Sequence, residues 1–289
     1  MDSRYLKSLV TVVERGSIVD AARAEGLTAA AVSQRIKALE RLLGVDLLLR
    51  MGNTATPTEA CLALLPRAKR ILGEVSALAG DADASGLTGA YRIGAISTVL
   101  TGTLPPVLRL LTQEAPRITP IIRPGTSSDV FQQLLADELD AVILVAPSFA
   151  LPKTVRSHSL FKEELVLLSR DEPAQGVEEC LLTHPYIRYD PLSWGGMRGE
   201  QYLKDRGLGL NSLLELDGLE AIAMLVAQGV GVSLVPRWNG LEHFAHGCVM
   251  TPVGDNTYDR EIVLLTQAPS RRSSMDAALS SALASCARR

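Results

Sequence analysis

Apolar residues recur at helical spacing from the start of the chain. Leu6, Leu9, Val10 and Val13 mark one face of a first helix, which Gly16 ends. Ser17, with Asp20 three residues on, is a capping-box-like start for a short helix over 18–24. Gly26 stops that helix, Leu27 anchors the turn, and Thr28 is placed to N-cap a third helix running from Ala29 to about Leu43. Val32, Ile36, Leu39 and Leu43 form its apolar stripe. The segment "VDLLLRMGNTATPT" (45–58) then reads as a strand, a Gly-Asn turn and a second short strand. Three helices, a short turn between the second and third, and a β-wing make a winged helix-turn-helix over 1–58.

Thr58 is positioned to cap a long helix over 59–80. Leu65, Leu72 and Ala79 lie seven apart, with Leu62, Ala68 and Val75 nearby, a short coiled-coil-like seam suited to dimerisation. Pro66 falls inside it and is expected to kink it or move its boundary. "GDADASGLTG" (80–89) is small, polar and Gly-rich, and 81–89 reads as a hinge. Beyond it the pattern alternates. Strands are expected at 91–96, 119–124, 141–145, 164–169, 186–189, 213–216, 232–235 and 262–266. Helices are expected at 98–112, 128–137, 199–206, 218–227 and 274–284. Such alternation argues for α/β units, and the count suits two small lobes better than one sheet.

Composition and charge refine this picture. The 289 residues are 47% hydrophobic and 21% charged, enough for real cores. No apolar run is long enough to span a membrane, and the N-terminus lacks a signal region, so a cytoplasmic location is expected. Cys61, Cys180, Cys248 and Cys286 are scattered, which argues against a disulfide framework. Residues 1–80 hold 11 Lys/Arg against 8 Asp/Glu, whereas the remainder is acidic within a total charge of −3. A mildly basic N-terminal part permits nucleic-acid binding.

The segments "GSIVDAARAEGLTAAAVSQRIKALERLLGVDLLLR" (16–50), "PTEAC" (57–61), "IGAISTV" (93–99), "DELDAVILV" (137–145) and "LVAQGVGVSLVP" (225–236) resemble the LysR-type transcriptional regulators, essentially end to end. The resemblance implies an N-terminal winged helix-turn-helix, a linker helix, and a two-lobed α/β periplasmic-binding-protein-like domain over 90–289. It implies lobes of 90–161 with 267–289, and 162–266. It also implies a homodimer or homotetramer, double-stranded DNA and RNA polymerase as partners, and a small-molecule effector held between the lobes. Some positions depart from the family pattern. Ala29-Ala30 stand where Gln-Pro is usual, Gln34-Arg35 where Arg-Gln is frequent, Pro57 where Leu is common, and Ala60-Cys61 where Ala-Gly is frequent.

If the stripe of the third helix faces the core, Ala29, Ala30, Ser33, Gln34 and Lys37 face outward. Small residues near a helix start let it approach base edges closely. Alanine can meet a thymine methyl, glutamine can pair with adenine, and serine can reach a base or phosphate. Thr28 and the first N–H groups suit a phosphate. Lys37, Arg35, Arg50, Asn53 and Thr54 are candidate backbone contacts. For the effector, the strand-to-helix junctions at Ser97-Thr98 and at Thr126, Ser127 and Ser128 offer hydroxyls and helix N–H groups that suit an anionic metabolite. Asp190 and Trp194 are candidates for the second wall, Val232 and Ser233 for a cleft-lining loop, and Arg188 and Arg198 for a clamp on an acid.

Two other classes fit the sequence poorly. Ser97 lacks a nucleophile elbow, and "GVGVSLVP" runs from helix to strand, the reverse of a dinucleotide fingerprint, so neither catalysis nor a cofactor is expected. "HFAHGC" brings His243, His246 and Cys248 together at a spacing that fits no standard zinc motif, so no metal is expected.

Overall fold

The computed structural model describes residues 2–51, 54–81, 83, 85–254 and 256–286. Two units divide the chain, Met1–Ala84 and Ser85–Arg289.

The first unit contains α1 (Ser3–Arg15), α2 (Ile18–Glu25), α3 (Ala29–Leu43), β1 (Leu48–Met51), β2 (Thr54–Pro57) and α4 (Glu59–Asp81). Its caps are those expected from the sequence. Ser17 accepts from the Val19 and Asp20 N–H groups, and Thr28 accepts from the Ala31 N–H at 3.2 Å. Gly16, Gly26 and Gly44 end α1 to α3 in the left-handed region, which glycine enters without a Cβ penalty. Leu6, Leu9, Val32, Ile36, Leu39 and Leu47 form a buried core. Leu43, expected in the stripe, is 43% exposed because α3 ends there, beyond the core. In the wing, Met51 pairs with Thr54 across Gly52-Asn53, which lie outside the described residues. The Ala55 N–H donates to the Gly16 carbonyl and fixes the wing to the end of α1.

Helix α4 runs through Pro66 and is tied to α1 by a Lys69–Glu14 ion pair at 2.7 Å. The heptad seam differs from expectation. Leu65 and Leu72 pack partly against the unit's own core and Ala68 is buried, whereas Leu62, Val75 and Leu78 are exposed. Val75, seven residues after Ala68, continues the same face of α4 beyond the core, whereas Leu62 lies on another face.

The second unit begins with β3 (Gly89–Ala95), a π-helical turn (Val99–Thr103), α5 (Leu104–Glu114), β4 (Ile118–Pro124), α6 (Ser127–Leu135), β5 (Ala141–Val145) and β6 (Val155–Glu163). Then follow β7 (Leu165–Ser169), α7 (Val177–Thr183), β8 (Tyr186–Tyr189), α8 (Met197–Asp205), β9 (Ser212–Leu216) and α9 (Leu219–Ala227). The chain ends with β10 (Ser233–Pro236), β11 (Val249–Pro252), β12 (Arg260–Gln267) and α10 (Ser273–Cys286). Lobe one is built on the sheet β4-β3-β5-β12-β6 and lobe two on β10-β7-β11 and β8-β9. Strand β3 is parallel to β4 and β5, and β12 runs antiparallel to β5 and β6.

This topology corrects the lobe boundary. Residues 260–266, expected in lobe two, belong to β12 in the sheet of lobe one. The chain therefore crosses after Glu163 and returns at Arg260, which are register partners. The helix expected over 98–112 is broken into a π-helical turn and α5 because Pro105 and Pro106 supply no N–H to the preceding turn. Among the described residues no helix is long and apolar enough to cross a membrane.

Candidate functional site

The outer face of α3 starts with small residues. Thr28, Ala29 and Ala30 are exposed, Ser33 is half-buried, and Gln34 and Lys37 are exposed. No acidic residue stands in the first turn. Gln34, Lys37 and Arg41 border a shallow depression that continues to Val45 and Asp46. Glu40, which borders it too, accepts from the Leu47 and Leu48 N–H groups and so fixes the wing to α3. Asn53, and the side chains of Arg50 and Thr54, lie outside the described residues.

Arg35 is a correction. It is expected among the DNA-backbone contacts, but its guanidinium turns inward and donates to Ser8 Oγ and Glu25 Oε2, both at 3.2 Å. Ser8 in turn donates to Glu25 Oε2 at 2.9 Å. This triad joins α1, α2 and α3. Glu25 is almost fully buried, and a buried carboxylate requires a partner, so the inward rotamer of Arg35 meets a requirement of the fold.

In the second unit, a cleft of about 580 Å³ lies between the lobes. One wall comes from lobe one: Ser97 and Thr98 after β3, and Gly125 to Asp129 at the start of α6. The other comes from lobe two: Tyr189 to Gly195 after β8, and Asp217 to Glu220 at the start of α9. Arg260 stands where the chain returns to lobe one, and it is 2% exposed. It pairs with Glu163 through Nε and donates to Thr98 Oγ1 at 2.9 Å. Ser127 is buried and accepts from the Val145 N–H, while Ser97, Thr126 and Ser128 are exposed. Trp194 stacks edge-on to Phe149 and also meets Phe131, which makes an aromatic wall.

Charge in this cleft is opposite in sign to expectation. Asp129, Asp190, Asp217 and Glu220 all line it, and Arg260 is the one cation among its described lining residues. Asp129 accepts from the Thr126 N–H and Oγ1, so the start of α6 is already complemented by a carboxylate of the chain. The Asp190 carboxylate accepts from the Leu192 N–H at 2.8 Å, and Thr101 reaches Glu220 at 3.4 Å. Asp217 makes no hydrogen bond or ion pair with any described residue. Desolvation, and then the charges of Asp190 and Asp129, push its carboxyl above the ordinary aspartate value. An anionic metabolite would have to enter against this lining.

Four further expectations are corrected. Val232 and Ser233 lie outside the cleft. Ser233 Oγ is buried and donates to the Ile187 carbonyl at 2.7 Å, and Val232 exchanges backbone hydrogen bonds with Pro185 and Ile187. A Cβ on Gly231 would sit 2.2 Å from the Pro185 carbonyl oxygen, so the Gly-rich turn serves strand packing. Arg188 is engaged with Glu200 and the Leu210 carbonyl, and the exposed Arg198 lies away from the cleft lining. Sequence reasoning missed Tyr189, Ser193, Gly195, Asp217, Glu220 and Arg260. The "WGG" step was the available signal. A Cβ on Gly196 would sit 1.9 Å from the Asp190 carbonyl oxygen, so the loop needs glycine there, and Gly195 lies against Tyr189 Oη and Arg260 Nη1.

Elsewhere, His243 Nδ1 faces the Gly240 carbonyl, and among the described residues no three His, Cys, Asp or Glu side chains gather as a metal site.

A winged helix-turn-helix with an open third helix, and a two-lobed domain with a cleft at its crossover strands, define a DNA-binding, ligand-responsive regulator. Residues 3–62 match the bacterial regulatory helix-turn-helix protein model of the lysR family, and residues 84–287 match the LysR substrate binding domain model. The chain belongs to the LysR family of transcriptional regulators, whose members are DNA-binding proteins rather than enzymes. It is 32% identical over 243 residues to a probable hydrogen peroxide-inducible genes activator of Streptomyces viridosporus, covering 80% of this chain and 76% of that one. Its fold is similar to a full-length OxyR cysteine variant from Pseudomonas aeruginosa (TM-score 0.69, 22% identity, 99% and 95% of the two chains). It is also similar to full-length CbnR complexed with its target DNA (TM-score 0.70, 21% identity, 98% and 99%).

Proposed function

We propose that this chain is a cytoplasmic homo-oligomeric regulator that reads double-stranded DNA with α3 and responds to a small molecule in the interlobe cleft. The observation that carries the reading is the outer face of α3, where exposed small residues lead to Gln34 and Lys37 with no acidic residue in the first turn. Such a face enters a major groove N-terminus first, with Gln34 at base edges and Lys37 on phosphates. Thr28 and the N–H groups beside it receive a phosphate. The exposed Val75 and Leu78 towards the end of α4 supply apolar area for a second copy, giving a dimer and, by further pairing, a tetramer.

Ligand binding favours one lobe arrangement and, through it, one spacing of the paired winged helices. That spacing changes operator affinity and contact with RNA polymerase, which is coupling between two sites. Burial pushes the thiols of Cys61, Cys180 and Cys248 up, away from the reactive thiolate.

The test is fluorescence anisotropy of the full chain with a duplex from its own upstream region. Specific, salt-dependent binding is expected, and failure to bind that duplex at low salt sinks the reading.

A further inference from the structure

We propose that the interlobe cleft takes a cationic ligand, a small molecule bearing an ammonium or guanidinium group, with its apolar part against Trp194. The proposal rests on the reading of the cleft as the effector site and names the ligand class. Three independent observations carry it.

First, the charge balance is one-sided. Asp129, Asp190, Asp217 and Glu220 line the cleft from both lobes, and the one lining cation among the described residues, Arg260, is already paired with Glu163 and bonded to Thr98. A ligand carboxylate would compete with Glu163 for that guanidinium while meeting four like charges. Second, Asp217, an exposed residue that shares the lining with Asp190 and Asp129, has no side-chain partner among the described residues. A carboxylate held beside two others is relieved by a cation that bonds to it. Third, Trp194 lines the cleft together with these carboxylates, and its ring is held in place from behind by Phe131 and Phe149, which lie outside the lining. Acids next to an indole face suit a cation with a short hydrocarbon body, since the ring quadrupole attracts positive charge. Because the carboxylates stand on both lobes, a cation between them would lower their mutual repulsion and so favour closure.

Isothermal titration calorimetry of the full chain tests this at constant ionic strength. The probes are 1,4-diaminobutane, arginine and tetramethylammonium on one side, and succinate and benzoate on the other. At least one cationic probe should bind saturably, with quenching of tryptophan fluorescence. Asp217→Asn should weaken it at least tenfold, while Glu138→Gln, a carboxylate outside the cleft, should leave it unchanged. Absence of saturable binding by all three cations overturns the proposal, as does equal weakening by the two variants. Saturable binding of succinate or benzoate that Thr98→Val abolishes keeps the cleft as the effector site and overturns the ligand class. Saturable binding that neither Asp217→Asn nor Thr98→Val alters overturns the cleft reading itself.

Discussion

Two of the helices that begin with a threonine cap, α3 and α6, differ in their first turns. Thr28 starts α3, whose first turn is Ala29-Ala30-Ala31 and holds no acid. Thr126 starts α6, where Asp129 completes a capping box by accepting from the Thr126 N–H. Every helix start carries a partial positive charge that an anion stabilises and that water or a neutral side chain also satisfies. In α6 the chain supplies the anion itself. In α3 it does not, and on the proposed reading that end is open to an outside phosphate. The contrast separates a helix start complemented within the fold from one that is not, although both read in sequence as threonine before a helix.

The largest expected effect tests whether the charges near α3 belong to its outer face or to the domain. Arg35→Ala removes the partner of a nearly buried carboxylate and should destabilise the first unit by ~2–3 kcal/mol, the low side for a buried pair because Arg35 is partly solvated. Denaturant unfolding measures it. The folded fraction should keep the salt dependence of DNA binding unchanged. A variant with normal stability and a flatter salt dependence would return Arg35 to the DNA face.

Transplanting the α6 arrangement is the next test. Ala30→Asp puts a carboxylate into the first turn of α3, where the helix itself welcomes it. DNA binding should nevertheless weaken across all sequences by ~2 kcal/mol, because the acid now faces phosphates. Unchanged affinity would mean that this end of α3 stays away from the DNA. A smaller and more specific effect is expected from Gln34→Ala, which should relax preference at one or two operator positions by ~1 kcal/mol or more. Lys37→Ala should instead lower the salt slope by about one without changing preference. The reverse assignment would show the helix face rotated.

The contrast also explains what was legible in the sequence. Caps, glycine stops and apolar periodicity are local, so α1 to α4, the wing and most strands could be read directly. Side-chain direction is settled by partners far along the chain. Arg35 turns toward Glu25 and Ser8, and no spacing rule near residue 35 announces that. The cleft depends on the same kind of information. Ser97, Thr98, Thr126 and Asp190 sit close to strand ends, where ligand sites of this fold class form, and are legible on that ground. Asp217, Glu220 and Arg260 reach the same cleft from distant strands and helices. Strand β6 escapes a sequence reading because "VRSHSLFKE" forms a sheet edge with mostly exposed positions and lacks clean alternation.

The smallest effect concerns the cost of holding an unpaired acid in the cleft. The Asp217 carboxyl titrates above 3.8, the ordinary value, so the folded chain keeps this proton to higher pH than the unfolded chain does. Raising the pH through that window therefore takes proton-linked stability away, and at neutral pH the ionised group disfavours the native state. Asp217→Asn should raise Tm at pH 7.5 by less than ~2 °C, since the carboxylate is partly solvated. The gap should narrow as the pH falls toward 4, where more of the wild-type group is neutral too. A saturating cationic probe should close the gap from the other side, because it stabilises the ionised wild type and not the amide. Scanning calorimetry at both pH values, with and without 1,4-diaminobutane, reads all three. A variant less stable than wild type at pH 7.5 would show that Asp217 already has a partner inside the fold, and the contrast between a self-sufficient α6 and an unsatisfied cleft would fail there.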